Sequence, residues 1–162
     1  MGTVLLGIGE FGASKTPGDI VKTLALGSCI SVLFLDPKTR MVGMVHIALP
    51  DSSIATAEEL ERQPGRFADT GIHALIRHMK KLGMADHKSL IVKLVGGAMI
   101  MDPKNTFNIG KRNALAIKKC LWELGIGARK EEIGGRISRT VSVFVDTGKV
   151  IICSPGKEDW SI

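Results

Sequence analysis

A mixed α/β domain with helices laid over sheet is the fold class this 162-residue sequence predicts. Short β-branched runs are bounded by Gly, Pro and Asp, and two segments switch to helical periodicity. The 44% apolar and 23% charged content is ordinary for a globular chain, and the length suits one domain over 1–162.

Along the chain, "TVLLGI" (3–8) reads as a strand and "GASKTPGD" (12–19) as a turn. "LALG" (24–27), "CISVLFL" (29–35) and "MVGMVHIAL" (41–49) read as strands. The polar stretch 51–66 reads as a loop, with a helical turn in "TAEELE" (56–61). From Phe67 to Lys81 the residues Ala68, Ile72, Leu75, Ile76 and Met79 recur at helical spacing until Gly83 stops the run. "SLIVKLVGG" (89–97) is a buried-strand candidate. A second helix is expected from Ile109 to Leu124, with Asn108 as N-cap and Gly125 as terminator. "TVSVFVDTGKVIIC" forms a hairpin about Asp146-Thr147-Gly148, and the tail, about 154–162 and including Trp160, is expected to be flexible and free.

Composition excludes several function classes. A net charge of +6 invites acidic partners, but 4% aromatics and scattered basic residues make neither a stacking platform nor a basic stripe, so no nucleic-acid partner is expected. No apolar run approaches the roughly 18 residues of a membrane span, and "MGTVLLGIGE" lacks a signal peptide's basic region. Three cysteines, Cys29, Cys120 and Cys153, form no CxxC pair and point to a reducing, cytoplasmic setting. No second Cys/His pair has metal-ligand spacing, so neither metal nor cofactor is expected. "VGGA" (95–98) lacks the phosphate-loop pattern and reads as a tight turn.

The chemistry-bearing stretch is "KTLALGSCISVLFLDPKTRMVGMVHIALP" (22–50). If "DPKT" (36–39) is a four-residue type I turn, Leu35 pairs with Arg40, Leu33 with Val42, Ser31 with Met44 and Cys29 with His46. Opposed residues have Cβ atoms about 5 Å apart, so this register brings thiol and imidazole into contact. An imidazolium beside a thiol lowers the thiol pKa, and the same ring then serves as general acid and base. Gly27 would admit a substrate, amide groups near Ser28 and Cys29 are oxyanion-hole candidates, and Thr23 could orient the ring. The alternative is that Cys29 and His46 are both core residues.

"TLALGSC", the "DPKT" turn and "GMVHIALP" together resemble the signature of the chemoreceptor glutamine deamidase family CheD. "FADTGIHALIRHM", "KLVGGAMIM", "IGKRN" and "GGRISRTVSVFVDTGKV" extend the resemblance over about residues 20–150. The resemblance implies hydrolysis of glutamine side-chain amides in chemoreceptor signalling helices by a Cys–His–Thr triad, which falls on Cys29, His46 and Thr23. It implies a layered sandwich of mixed β-sheet with packed helices, similar to the catalytic domain of the cytotoxic necrotizing factor toxins. It also implies binding to a CheC-type phosphatase, and a mainly non-catalytic adaptor is the alternative function. Ala25 departs from the family pattern, which has Gly there, and "EEIGGRISRT" is more basic than that pattern.

Overall fold

In the computed structural model, which describes residues 2–99 and 108–162, two five-stranded sheets stack face to face and helices cover the far side of one of them. The last two residues of "KLVGGAMIM" lie outside the described residues. In chain order the elements are β1 (Thr3–Leu6), β2 (Phe11–Ser14), β3 (Ile20–Leu26), β4 (Ile30–Leu35), β5 (Val42–Ile47), α1 (Ala57–Arg62), α2 (Ala68–Lys81), β6 (Ile91–Gly96), α3 (Ile109–Glu123), β7 (Ala128–Ile133), β8 (Arg139–Phe144), β9 (Val150–Cys153) and β10 (Trp160–Ser161). The outer sheet runs β1-β3-β8-β9-β10 and the inner sheet β2-β5-β4-β6-β7. Each contains one parallel pair, β1 with β3 and β6 with β7, so both sheets are mixed.

The layers follow from burial. β4 and β5 are covered on both faces, which is why they read as unbroken apolar runs. Ile30, Val32 and Phe34 point at α2 and α3, whereas Leu33 packs between the sheets with Val42, Met44, Val95, Val141 and Ile152. β8 has solvent on one side and alternates, with Val141 and Val143 buried and Phe144 exposed. α2 lies close on β5 because Gly43 leaves room, a methyl there being only 2.6 Å from Met79 Sδ. No described helix is long and apolar enough to cross a membrane.

The elements missing from the sequence reading are short or polar edge strands. β2 occupies part of the expected turn "GASKTPGD" and pairs antiparallel with β5. β7, "ARKEEI", carries charges that suit an exposed sheet edge. The free tail is also corrected: Trp160 pairs with Ile152 and Ser161 with Ile151, Trp160 Nε1 donates to Glu132 Oε1 at 3.3 Å, and Lys93 Nζ donates to the Ile162 carbonyl at 2.8 Å. Trp160 thereby buries apolar surface against the inter-sheet core, which the polar letters around it conceal.

Candidate active site

Two sheets contribute to one cluster. β5 of the inner sheet carries His46, which is 3% exposed, and β3 of the outer sheet carries Thr23, which is fully buried. Thr23 Oγ1 lies 2.7 Å from His46 Nδ1 and donates to the Leu6 carbonyl, also at 2.7 Å. A hydroxyl has one hydrogen and a carbonyl can only accept, so the Thr23 proton goes to Leu6. Thr23 must then accept from His46 Nδ1–H. This order fixes the tautomer and leaves Nε2 as the bare nitrogen, buried and without a hydrogen-bond partner among the described residues. The His46 backbone is held by β2 and its approach, with His46 N–H donating to the Glu10 carbonyl at 3.1 Å and Gly9 N–H to the His46 carbonyl at 2.9 Å.

Cys29 sits just before β4, half-buried against the inter-sheet core. The loop that carries it is held by its carbonyls. Gly27 accepts from Ala98 N–H at 2.8 Å, Ser28 from Asn113 Nδ2 at 3.0 Å, and Cys29 from Gly97 N–H at 2.9 Å. Gly96 makes this approach possible at φ 122°, since a methyl there would collide with the Cys29 carbonyl oxygen. "VGGA" is therefore the backing of the cysteine loop. Ala25, the departure from the family's Gly, has φ 50°, a conformation that glycine adopts more readily.

The expected register is corrected. His46 lies opposite Ser31, not Cys29, and Leu35 pairs with Val42 instead of Arg40. The connection is longer than "DPKT". Asp36 N–H donates to the Met41 carbonyl at 2.9 Å, Asp36 carboxylate oxygens take Lys38 N–H and Thr39 Oγ1 at 3.2 and 2.7 Å, and Arg40 adopts φ 66°. Met41 is thereby free to bury in the helix-side core. A slip of two keeps every side chain on its face. Ser31 and His46 therefore keep the inter-sheet face, and Cys29, next to the last ladder pair Ile30–Ile47, packs against the same layer.

Electrostatics set the resting protonation. Burial pushes the Cys29 thiol up, while the Arg66 guanidinium and Cys29's own amide pull it back. Burial lowers His46 to about 4, with Glu10 opposing. The resting site therefore favours a thiol beside a neutral imidazole, not the expected thiolate–imidazolium pair, because neither charge is solvated there. A thiol, a bare imidazole nitrogen and backbone amides next to the thiol form a set suited to acyl transfer.

Sequence reading missed Ser31, whose buried Oγ has no hydrogen-bond partner among the described residues, and Asn113. A signal for Asn113 existed: it shares the buried stripe of α3 with Gly110, Ala114, Ile117 and Leu121. The remaining histidines lie apart from the cluster. His73 is exposed, His78 stacks edge-on to Phe11, and His87 Nε2 meets the Leu124 carbonyl at 3.1 Å. Cys120 is buried in the helix-side core. Among the described residues no group of three or more His, Cys, Asp or Glu could hold a metal ion.

The family model described as CheD chemotactic sensory transduction matches residues 48–154, a span that begins just after His46. Full-length relatives extend the similarity over the cysteine segment. The chain is 52% identical over 163 residues to the probable chemoreceptor glutamine deamidase CheD of Syntrophotalea carbinolica, covering 100% of each. It is 40% identical over 152 residues to the chemoreceptor glutamine deamidase CheD of Thermotoga maritima, covering 94% of this chain and 92% of that one. It is 36% identical over 160 residues to the probable chemoreceptor glutamine deamidase CheD of Archaeoglobus fulgidus, covering 97% of each. Among solved structures, the Bacillus licheniformis hypothetical protein YfiH aligns with TM-score 0.42 and 11% identity over 76% of this chain and 49% of that one.

Proposed function

The chain belongs to the CheD family, and from that premise we propose that it hydrolyses glutamine side-chain amides in chemoreceptors, with Cys29 as nucleophile, His46 as general acid and base, and Thr23 as the group that orients His46. The observation that carries this reading is the relay from His46 Nδ1–H through Thr23 Oγ1 to the Leu6 carbonyl, which leaves Nε2 unprotonated. Nε2 takes the Cys29 proton as Sγ attacks the amide carbon. The carbonyl oxygen becomes an oxyanion that the amides near Ser28 and Cys29 stabilise, with Gly27 giving the substrate room. The imidazolium then protonates the leaving nitrogen, the C–N bond breaks, and ammonia departs to leave a thioester. Water, deprotonated by Nε2, attacks the thioester, and the imidazolium returns the proton to sulfur as glutamate forms.

This order of events fits the resting protonation, because the reaction starts from thiol and neutral imidazole and needs no preformed ion pair. The substrate is a glutamine on receptor signalling helices, the setting is the cytoplasm, and a CheC-type phosphatase is a second partner. The test measures ammonia release from receptor signalling-domain protein, with mass spectrometry to locate each glutamine converted to glutamate. Cys29→Ala is expected to lower release by at least ~1,000-fold. Tight receptor or phosphatase binding by a wild-type protein that releases no ammonia would replace the enzyme with an adaptor.

A further inference from the structure

We infer that Asn113 is the positioning residue of the nucleophile: its carboxamide sets the orientation of the Ser28–Cys29 peptide and ties that peptide to the strand of His46. The inference rests on the reading of Cys29 as nucleophile.

Asn113 is a polar side chain on the buried stripe of α3, with no exposed surface. Both of its N–H groups are donated, to the Ser28 carbonyl and the Ala48 carbonyl, each at 3.0 Å. Two carbonyl acceptors require the NH2 end of the amide, so its orientation is unambiguous. Its Oδ1 is buried with no hydrogen-bond partner among the described residues. Leaving a buried acceptor unsatisfied costs about 1–3 kcal/mol. An aliphatic side chain would avoid that cost and still pack, but it could not hold the two carbonyls.

What those carbonyls do explains the arrangement. A trans peptide is planar, so the Ser28 C=O and the Cys29 N–H point in opposite directions. Holding the oxygen toward α3 turns the Cys29 N–H to the opposite side of the peptide plane. An N–H held in one direction beside the nucleophile can donate to the oxyanion that forms on the attacked carbonyl's oxygen. The flanking Gly27 and Cys29 carbonyls are held by backbone amides of Ala98 and Gly97. Only the middle carbonyl depends on a side chain, so it is the point at which one residue's identity decides the peptide's orientation. The second acceptor, Ala48, lies two residues beyond His46, so one carboxamide spans both halves of the dyad. Close approach lets it reach: a methyl on Gly110 would collide with the Gly97 carbonyl oxygen, so the start of α3 rests directly on the glycine turn.

The test compares Asn113→Asp and Asn113→Leu with wild type, using Ile117→Val on the same helix as a control for lost stability alone. Measured are kcat and KM for glutamine deamidation, the rate of Cys29 alkylation by iodoacetamide against pH, and Tm. Both Asn113 variants are expected to lose roughly 100-fold in kcat with KM changed less than about 3-fold, as misplacement near 1 Å does. Their Cys29 alkylation near neutral pH should fall about 10-fold below wild type, because the peptide plane beside the thiol is no longer held. Ile117→Val should leave kcat and alkylation unchanged. Variants that hold kcat and alkylation at wild-type values, or losses that simply follow Tm across all three substitutions, would overturn the inference. If wild type shows no Cys29-dependent ammonia release, the deamidase reading falls. The alkylation arm still decides Asn113, because it needs no substrate.

Discussion

His46 is held by its side chain, whereas Cys29 is held by its backbone. The imidazole is positioned by a chain of two hydrogen bonds through Thr23 to the Leu6 carbonyl, crossing from one sheet to the other. The thiol is positioned by three successive carbonyls, at Gly27, Ser28 and Cys29, none of which belongs to a functional side chain. A proton acceptor needs one definite tautomer, which a partner on the other ring nitrogen imposes, here the Thr23 side chain. A nucleophile next to an oxyanion hole needs a definite peptide plane, which backbone anchoring supplies. The two halves should therefore fail in different ways when broken.

The largest effect is expected on the thiol side. Gly96→Ala would drive a methyl into the Cys29 carbonyl at a φ of 122°. Destabilisation of about 3 kcal/mol or more is expected, seen as a Tm lowered by roughly 6–12 °C. Wild-type Tm with full activity would show that the carbonyl anchoring is dispensable.

On the imidazole side, Thr23→Val keeps shape but removes both the acceptor for Nδ1–H and the donor to Leu6. A kcat loss on the order of 100-fold is expected, with Cys29 still alkylated at its pH-dependent maximum. An unchanged kcat would mean that the tautomer is set by something other than Thr23.

The last effect, acid sensitivity, shows only below neutral pH. His46 is held at about 4, against an unfolded value near 6.5, chiefly by burial. Between those pH values the unfolded chain binds a proton that the folded chain refuses, so stability rises with pH through this window. The contribution, of order 3 kcal/mol, is present above about pH 6.5 and lost as pH falls toward 4. Denaturant titrations should show wild type losing more stability than His46→Gln over this interval. The acid limb of kcat/KM should lie near 4, and a limb near 6.5 would place a hydrated imidazole in the free enzyme.

Much of the candidate site is legible in the sequence. Cys29, His46 and Thr23 stand in a motif whose spacing already put thiol and imidazole on one hairpin. Their shared face also held, because the true register differs from the expected one by two residues and sheet faces repeat every two. The partner across the ladder did not hold. The turn was read from its best four letters, "DPKT", while Asp36 and Met41 extended the connection in order to bury. β7 and β10 escaped for a related reason: at sheet edges the letters answer to solvent, β7 pairs with β6 across the intervening α3, and β10 is only two residues long.

By itself, then, the sequence determined which elements form, which faces are apolar and which residue types are available for chemistry, since these depend on local periodicity and on the side chains themselves. The tertiary structure alone decided that Thr23 of one sheet reaches His46 of the other, that Asn113 of α3 holds the Ser28 carbonyl, and that imidazole and thiol rest uncharged. Those outcomes depend on distances between segments remote in the chain and on the water excluded when the sheets close, and neither quantity is written in any local run of residues.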